Sequence, residues 1–271
     1  MLLSHKDVNI NAQNRYGHSP LHYAADGGHS ECVNLLLSHT DIDVNIQNNN
    51  EWTQLHLSAN RGHTECVKLL LAHPAINVNI HNSYDALLLH YAADAGYIEC
   101  VKFLLAANAN SINARNIYGS IPLHYAAGGG HTECVRQLLA YPDINANIQN
   151  KYGFTPLHYA AERGYTGCVK VLLAHPNINT NAQTKNGWTP LYIAAQNGQM
   201  ECVNCLLFSS SINVYSFKQQ GITTLHSASE DEQDENVQFF VNSEKINVNM
   251  EDNDGMTALH TAIQKDKKEM C

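Results

Sequence analysis

The dipeptide Leu-His returns along the chain at a constant step of 34 residues. It stands at Leu21-His22, Leu55-His56, Leu89-His90, Leu123-His124 and Leu157-His158, and continues as Leu191-Tyr192, Leu225-His226 and Leu259-His260. Cysteine keeps the same step at Cys32, Cys66, Cys100, Cys134, Cys168 and Cys202. Such a period marks a tandem array. Each copy is too small to bury a core alone, so neighbours must stack and cover one another's apolar faces.

The copy from Lys151 to Thr184 can be read position by position. Thr155 suits a helix N-cap, and Pro156 the first helical position, where a missing N–H is no loss. Leu157, Ala160 and Ala161 give a small, apolar face that a neighbour can approach closely. Gly164 suits the left-handed residue that ends a helix. A second helix follows, with Cys168, Val169, Leu172 and Leu173 as its core stripe. Sister copies place Glu31, Glu65, Glu99, Glu133 and Glu201 in its first turn, at the positive end of the helix dipole. His175-Pro176-Asn177 then stops the helix, and an Asn-rich extended segment leads to the next turn.

The run Thr155-Pro156-Leu157-His158-Tyr159-Ala160-Ala161, with relatives at 19–25 and 121–127, resembles the ankyrin-repeat signature. Gly28-His29, Gly62-His63, Gly130-His131 and the Leu-Leu pairs of the second helices fit it as well. The resemblance implies an all-α fold, a solenoid of stacked helix–turn–helix pairs with projecting turns or short hairpins. A single domain over 1–271 is expected, with repeats at 15–48, 49–82, 83–116, 117–150, 151–184, 185–218 and 219–252. Partial repeats flank them at 1–14 and 253–271. The common ankyrin repeat has about 33 residues. The additional residue is expected near His73-Pro74 and His175-Pro176. The resemblance also implies that each Leu-His histidine bonds the Thr three residues before it and the backbone of a neighbouring copy.

Composition narrows the function classes. The net charge of −9 leaves no basic stripe to displace counterions from nucleic acid. Nine acidic side chains in 230–254 against Lys245 alone give that window −8, so one end is acidic and the rest nearly neutral. No apolar run reaches the ~18 residues needed to span a bilayer. The start, from Met1 to Asp7, lacks the pattern of a secretory signal. Free cysteines at helical core positions agree with a reducing cytoplasmic compartment.

Sixteen histidines and eight cysteines raise the question of metal or catalysis. Equivalent positions in stacked copies lie ~8–10 Å apart. Zinc ligands need ~2.0–2.3 Å to one ion, and a disulfide needs Cα atoms within ~7 Å. A column of equivalent residues therefore supplies neither. Cys202 and Cys205 form a Cys-x-x-Cys pair on one helix face, where core packing is expected rather than redox work. Phosphate loops, nucleophile elbows and His-Glu-x-x-His are absent from the sequence. The acidic run at 230–235 lacks the spacing and central glycine of a calcium loop. No cofactor, metal or enzymatic activity is expected.

In an array of like copies, specificity falls to the positions that differ. The turns carry, in order, Tyr16 and His18, Trp52, Tyr84, Tyr118, Tyr152 with Phe154, and Trp188. The residues before the inter-helix glycine are Asp26, Asn60 with Arg61, Asp94, Glu162 with Arg163, and Gln196 with Asn197. The ankyrin resemblance places both sets on one surface, the turn tips and the concave helix face. Tyr, Trp and Arg dominate interface energetics. A protein-binding patch is therefore expected at Trp52, Arg61, Tyr84, Tyr118, Tyr152, Phe154, Glu162, Arg163 and Trp188. The alternative for each turn aromatic is that it packs on its neighbour and stiffens the row.

The expected function is a non-enzymatic scaffold or adaptor, monomeric, with a protein partner and neither nucleic acid nor membrane insertion. Two other readings stay open: a recruiting segment of a larger multidomain enzyme or membrane protein, and a microbial effector acting on host proteins. The seventh repeat, with Thr224 for Pro and Glu232-Gln233 for Gly-His, is expected to fold less stably than its neighbours. Its second helix should keep the stripe Val237, Phe239, Phe240 and Val241. Residues 1–14 and Asp266–Cys271 fall inside partial repeats, which suggests a segment of a longer protein.

Overall fold

The computed structural model describes residues 3, 5, 7–214, 221–230 and 234–264, with backbone alone at 234–236 and 239. Among these, the ordered elements are short helices, with no strand. The chain forms two compact blocks, Met1–Ile144 and Asn145–Cys271.

The N-terminal block holds four helix pairs: α1 (Pro20–Asp26) and α2 (Ser30–Leu37), α3 (Gln54–Arg61) and α4 (Thr64–Leu71), α5 (Leu88–Asp94) and α6 (Ile98–Ala107), α7 (Pro122–Gly128) and α8 (Thr132–Leu139). First helices pack in the order α1, α3, α5, α7, and second helices in the order α2, α4, α6, α8. The C-terminal block repeats the plan. Its first helices are α9 (Pro156–Glu162), α11 (Pro190–Gln196), α13 (Thr224–Glu230) and α15 (Ala258–Gln264), and its second helices α10 (Thr166–Leu173), α12 (Met200–Leu207) and α14 (Asp234–Val241). Within each block this is a stack of helix–turn–helix pairs.

The local causes are those the sequence implies. The Thr155 hydroxyl accepts the His158 N–H at the start of α9, and Pro156 takes the first helical position. Gly164 closes the pair with φ +74°, and a Cβ there would stand 2.1 Å from the Gln199 side chain of the next repeat. Small residues let the first helices approach, as Ala126, Ala127, Ala160, Ala161, Ala194 and Ala195 are fully buried. On α10, Cys168, Val169 and Leu172 are buried and Leu173 half-buried.

Three features differ from the sequence reading. Cys32 and Leu35 on α2 are exposed, whereas Cys66, Cys100, Cys134, Cys168 and Cys202 are buried. On α4, α6, α8 and α12 the preceding second helix of the same block packs here; among the described residues none covers it on α2. The third repeat has Ala107-Asn108 where the second, fourth and fifth have His-Pro or Tyr-Pro. There α6 runs for 10 residues and is followed by a 3-10 turn, Ala109–Asn113. In the seventh repeat both helices form, and Val237 and Phe240 are buried, but Val241 is exposed and not part of the stripe. The Phe239 side chain, Glu232, Gln233 and the terminal Asp266–Cys271 lie outside the described residues.

Candidate functional site

Two sets of side chains tie successive repeats together, and their rigidity positions everything that faces outward. The first is the histidine column. In α9 the His158 Nδ1 accepts the Thr155 backbone N–H at 3.0 Å and lies 2.8 Å from the Thr155 hydroxyl. Because a backbone N–H is always a donor, Nδ1 is the unprotonated nitrogen. Nε2 therefore carries the proton and donates to the Trp188 carbonyl of the next repeat at 3.0 Å. His22 does the same with Trp52 at 3.1 Å, His90 with Ser120 at 3.1 Å, and His226 with Met256 at 2.8 Å. Burial, the dominant cause, lowers the His56, His90 and His158 pKa values to about 4, so these rings are neutral at pH 7.

The second set is a ladder of asparagines in the extended segments. Asn11 donates to the Asp41 carbonyl at 2.6 Å while its Oδ1 accepts the Asp43 N–H at 2.9 Å. Asn45 repeats the pair on Ala75 and Asn77, at 2.7 and 2.8 Å. In the C-terminal block Asn147 bonds Asn177 and Asn179, and Asn181 bonds Ser211 and Asn213. One amide thus satisfies a carbonyl and an N–H of the following repeat, where no strand ladder exists to do so. The rung at Asn79 differs. Its Oδ1 takes the Asn108 amide at 2.6 Å, since the third repeat turns there into its 3-10 segment.

A further set of asparagines shapes the turns of the first five repeats. The Asn150 Oδ1 accepts the N–H groups of Tyr152 and Phe154, at 2.9 and 3.1 Å, and its Nδ2 donates to the Tyr159 hydroxyl at 3.0 Å. Asn82 does the same for Tyr84, Ala86 and Tyr91, and Asn116 for Tyr118, Ser120 and Tyr125. The turn tips are therefore held from beneath. Tyr84, Tyr118 and Tyr152 project from them at 50%, 42% and 57% exposure.

The remaining sequence-selected residues sort by depth. Trp52, Phe154 and Trp188 are half-buried. Trp52 lies over Tyr91 at 4.5 Å between centroids, Phe154 over Tyr159 at 5.3 Å, and Trp188 is stacked on Tyr192 at 6.0 Å. Arg61 is exposed and pairs with Asp26 of the previous repeat at 3.1 Å, a surface ion pair of small energetic weight. Glu162 is half-buried and Arg163 exposed beside Tyr159. The structure thus brings Trp52 against Tyr91 and sets Tyr84 and Tyr118 around one recess of the N-terminal block. In the other block, Tyr152, Phe154, Glu162 and Arg163 lie on one repeat.

That recess, of about 190 Å3, is lined by Tyr84, Tyr91, Tyr118, Tyr125 and Asp94 among others. Tyr91, Tyr125 and the ladder asparagines were not selected from the sequence. The available signal was Ala86 standing 34 residues after Trp52. A larger apolar groove of about 640 Å3, bordered by Val8, Ile10, Tyr23, Cys32 and Leu35, is the uncovered face of α1 and α2. Among the described residues no three His, Cys, Asp or Glu side chains converge as metal ligands, and no helix is long and apolar enough to cross a membrane.

Comparison with known families agrees with this geometry. Residues 40–116, 89–184, 123–217, 176–252 and 209–271 match a family model described as ankyrin repeats (3 copies). Residues 2–53 match one described as ankyrin repeats (many copies). No curated protein matches the sequence. Family matches over nearly the whole length, on a frame of stacked helix pairs joined through their Leu-His histidines, show that the chain belongs to the ankyrin-repeat family.

Proposed function

We propose that this chain is a non-catalytic scaffold or adaptor that holds a protein partner on its turn tips and the adjoining first-helix surface. Ankyrin repeats are protein–protein interaction modules in general. One observation carries the finer reading: exposed tyrosines stand on turns that are fixed by buried asparagines beneath them. A rigid aromatic side chain offers large contact area with little ordering cost. Tyr84 and Tyr118 in the N-terminal block, and Tyr152 with Arg163 in the C-terminal block, are the proposed contacts. Trp52, Phe154 and Trp188 contribute through their exposed edges and by bracing the rings they lie against.

The test is affinity capture from the source cells with the full chain and with a Tyr84→Ala/Tyr118→Ala/Tyr152→Ala variant. The expected result is at least ~10-fold weaker partner recovery, the size of a single lost hot spot, at unchanged helix content by circular dichroism. Equal recovery by both chains would discard the tyrosine tips as contacts.

A further inference from the structure

We propose that the recess between the third and fourth turns receives a cationic side chain, lysine or arginine, from the protein partner. This rests on the binding reading above and adds the chemistry of what is bound.

The recess exists because the third repeat's turn lacks an aromatic residue that others carry. Trp52 fills its position by lying over Tyr91, and Phe154 fills its own by lying over Tyr159. At the same step the third repeat has Ala86, buried and small, in the wall of the recess. What remains open is about 190 Å3, below the ~300 Å3 at which small-molecule sites begin and on the scale of one side chain.

Its walls select for positive charge. Four tyrosines line it, and an aromatic ring attracts a cation to its electron-rich face. Asp94, also in the wall, supplies a carboxylate. It lies close enough to Tyr91 that, after burial, Asp94 and Tyr84 both act to raise the Tyr91 hydroxyl. No lysine or arginine lines the recess, and His90 on its floor is neutral at pH 7. The cage is also set in advance, since Asn82 and Asn116 hold the hydroxyls of Tyr91 and Tyr125. Little ordering is left for binding to impose.

The test uses the full chain with 13C-labelled tyrosine rings and three probes at constant ionic strength: N-acetyl-lysine methylamide, N-acetyl-arginine methylamide and the neutral N-acetyl-norleucine methylamide. Saturable shifts of the Tyr84, Tyr91, Tyr118 and Tyr125 resonances are expected for the cations, with the neutral probe about 5- to 10-fold weaker. Ala86→Trp, which copies Trp52 one repeat later, should fill the recess and abolish the shifts. Asp94→Asn should weaken them several-fold without filling anything, so a poorly folding Ala86→Trp chain would not decide the matter. Equal response to norleucine, no saturation with either cation, or full cation response in Asp94→Asn would overturn the proposal. A chain that ignores the cations yet loses its partner in the triple tyrosine variant would retain the scaffold reading and lose only this one.

Discussion

Gln54 occupies the first position of α3, where α1, α7, α9 and α11 begin with proline. It is fully buried, and neither its Oε1 nor its Nε2 has a hydrogen-bond partner. Each such orphan costs on the order of 1–3 kcal/mol. The preceding Thr53 is already extended, at φ −89° and ψ 170°, the conformation a following proline demands. Gln54→Pro is therefore expected to stabilise the protein by roughly 1–3 kcal/mol, read as a higher urea midpoint. An unchanged or lower midpoint would mean that the amide is satisfied in solution. At this scale the sequence was legible wherever a residue acts on its own helix. Thr155, Pro156 and Gly164 do what their types imply. It was not legible for Gln54, whose cost depends on what the neighbouring repeat presses against it.

The extended segments show a second limit. The sequence marks them as Asn-rich and places them between the second helix and the next turn, but their amides act on partners 30 to 32 residues away. The signal was present as the 34-step of Asn11, Asn45, Asn79, Asn113, Asn147 and Asn181. It had no meaning until the stack set each amide beside the next segment. Removing a rung deletes two hydrogen bonds and leaves a carbonyl and an N–H of the next repeat to water. Asn45→Ala and Asn147→Ala should each cost about 1–2 kcal/mol. Asn110→Ala, on an exposed side chain of the 3-10 segment, should cost less than ~0.5 kcal/mol. Chemical denaturation of the three variants separates these; equal losses would make the ladder decorative. The cation recess was hidden for the same reason, because Ala86 becomes informative only once Trp52 is seen lying on Tyr91.

Over the whole molecule the histidine column couples stability to pH. His56, His90 and His158 titrate near 4 in the folded chain and near 6.5 when unfolded. The unfolded chain thus takes up protons first as the solution is acidified. Their contribution is fully present above pH ~6.5 and is lost progressively as pH falls toward 4. The loss between pH 7.5 and 5 is roughly 2 kcal/mol per histidine. Urea midpoints at those two pH values should differ strongly in the native chain, and by less in a His158→Gln variant. Coincident midpoints would mean that the column is solvated. Protonation also puts a hydrogen on Nδ1, facing the Thr155 N–H, so acid opposes the helix start as well as the link to the next repeat. The asparagine ladder carries a slower liability. Hydrolysis of the Asn147 amide would leave a carboxylate oxygen where Nδ2 now sits, 2.6 Å from the Asn177 carbonyl oxygen. Attraction would become repulsion at a single rung. A single hydrolysed amide would thus be enough to set one repeat against the next at that rung.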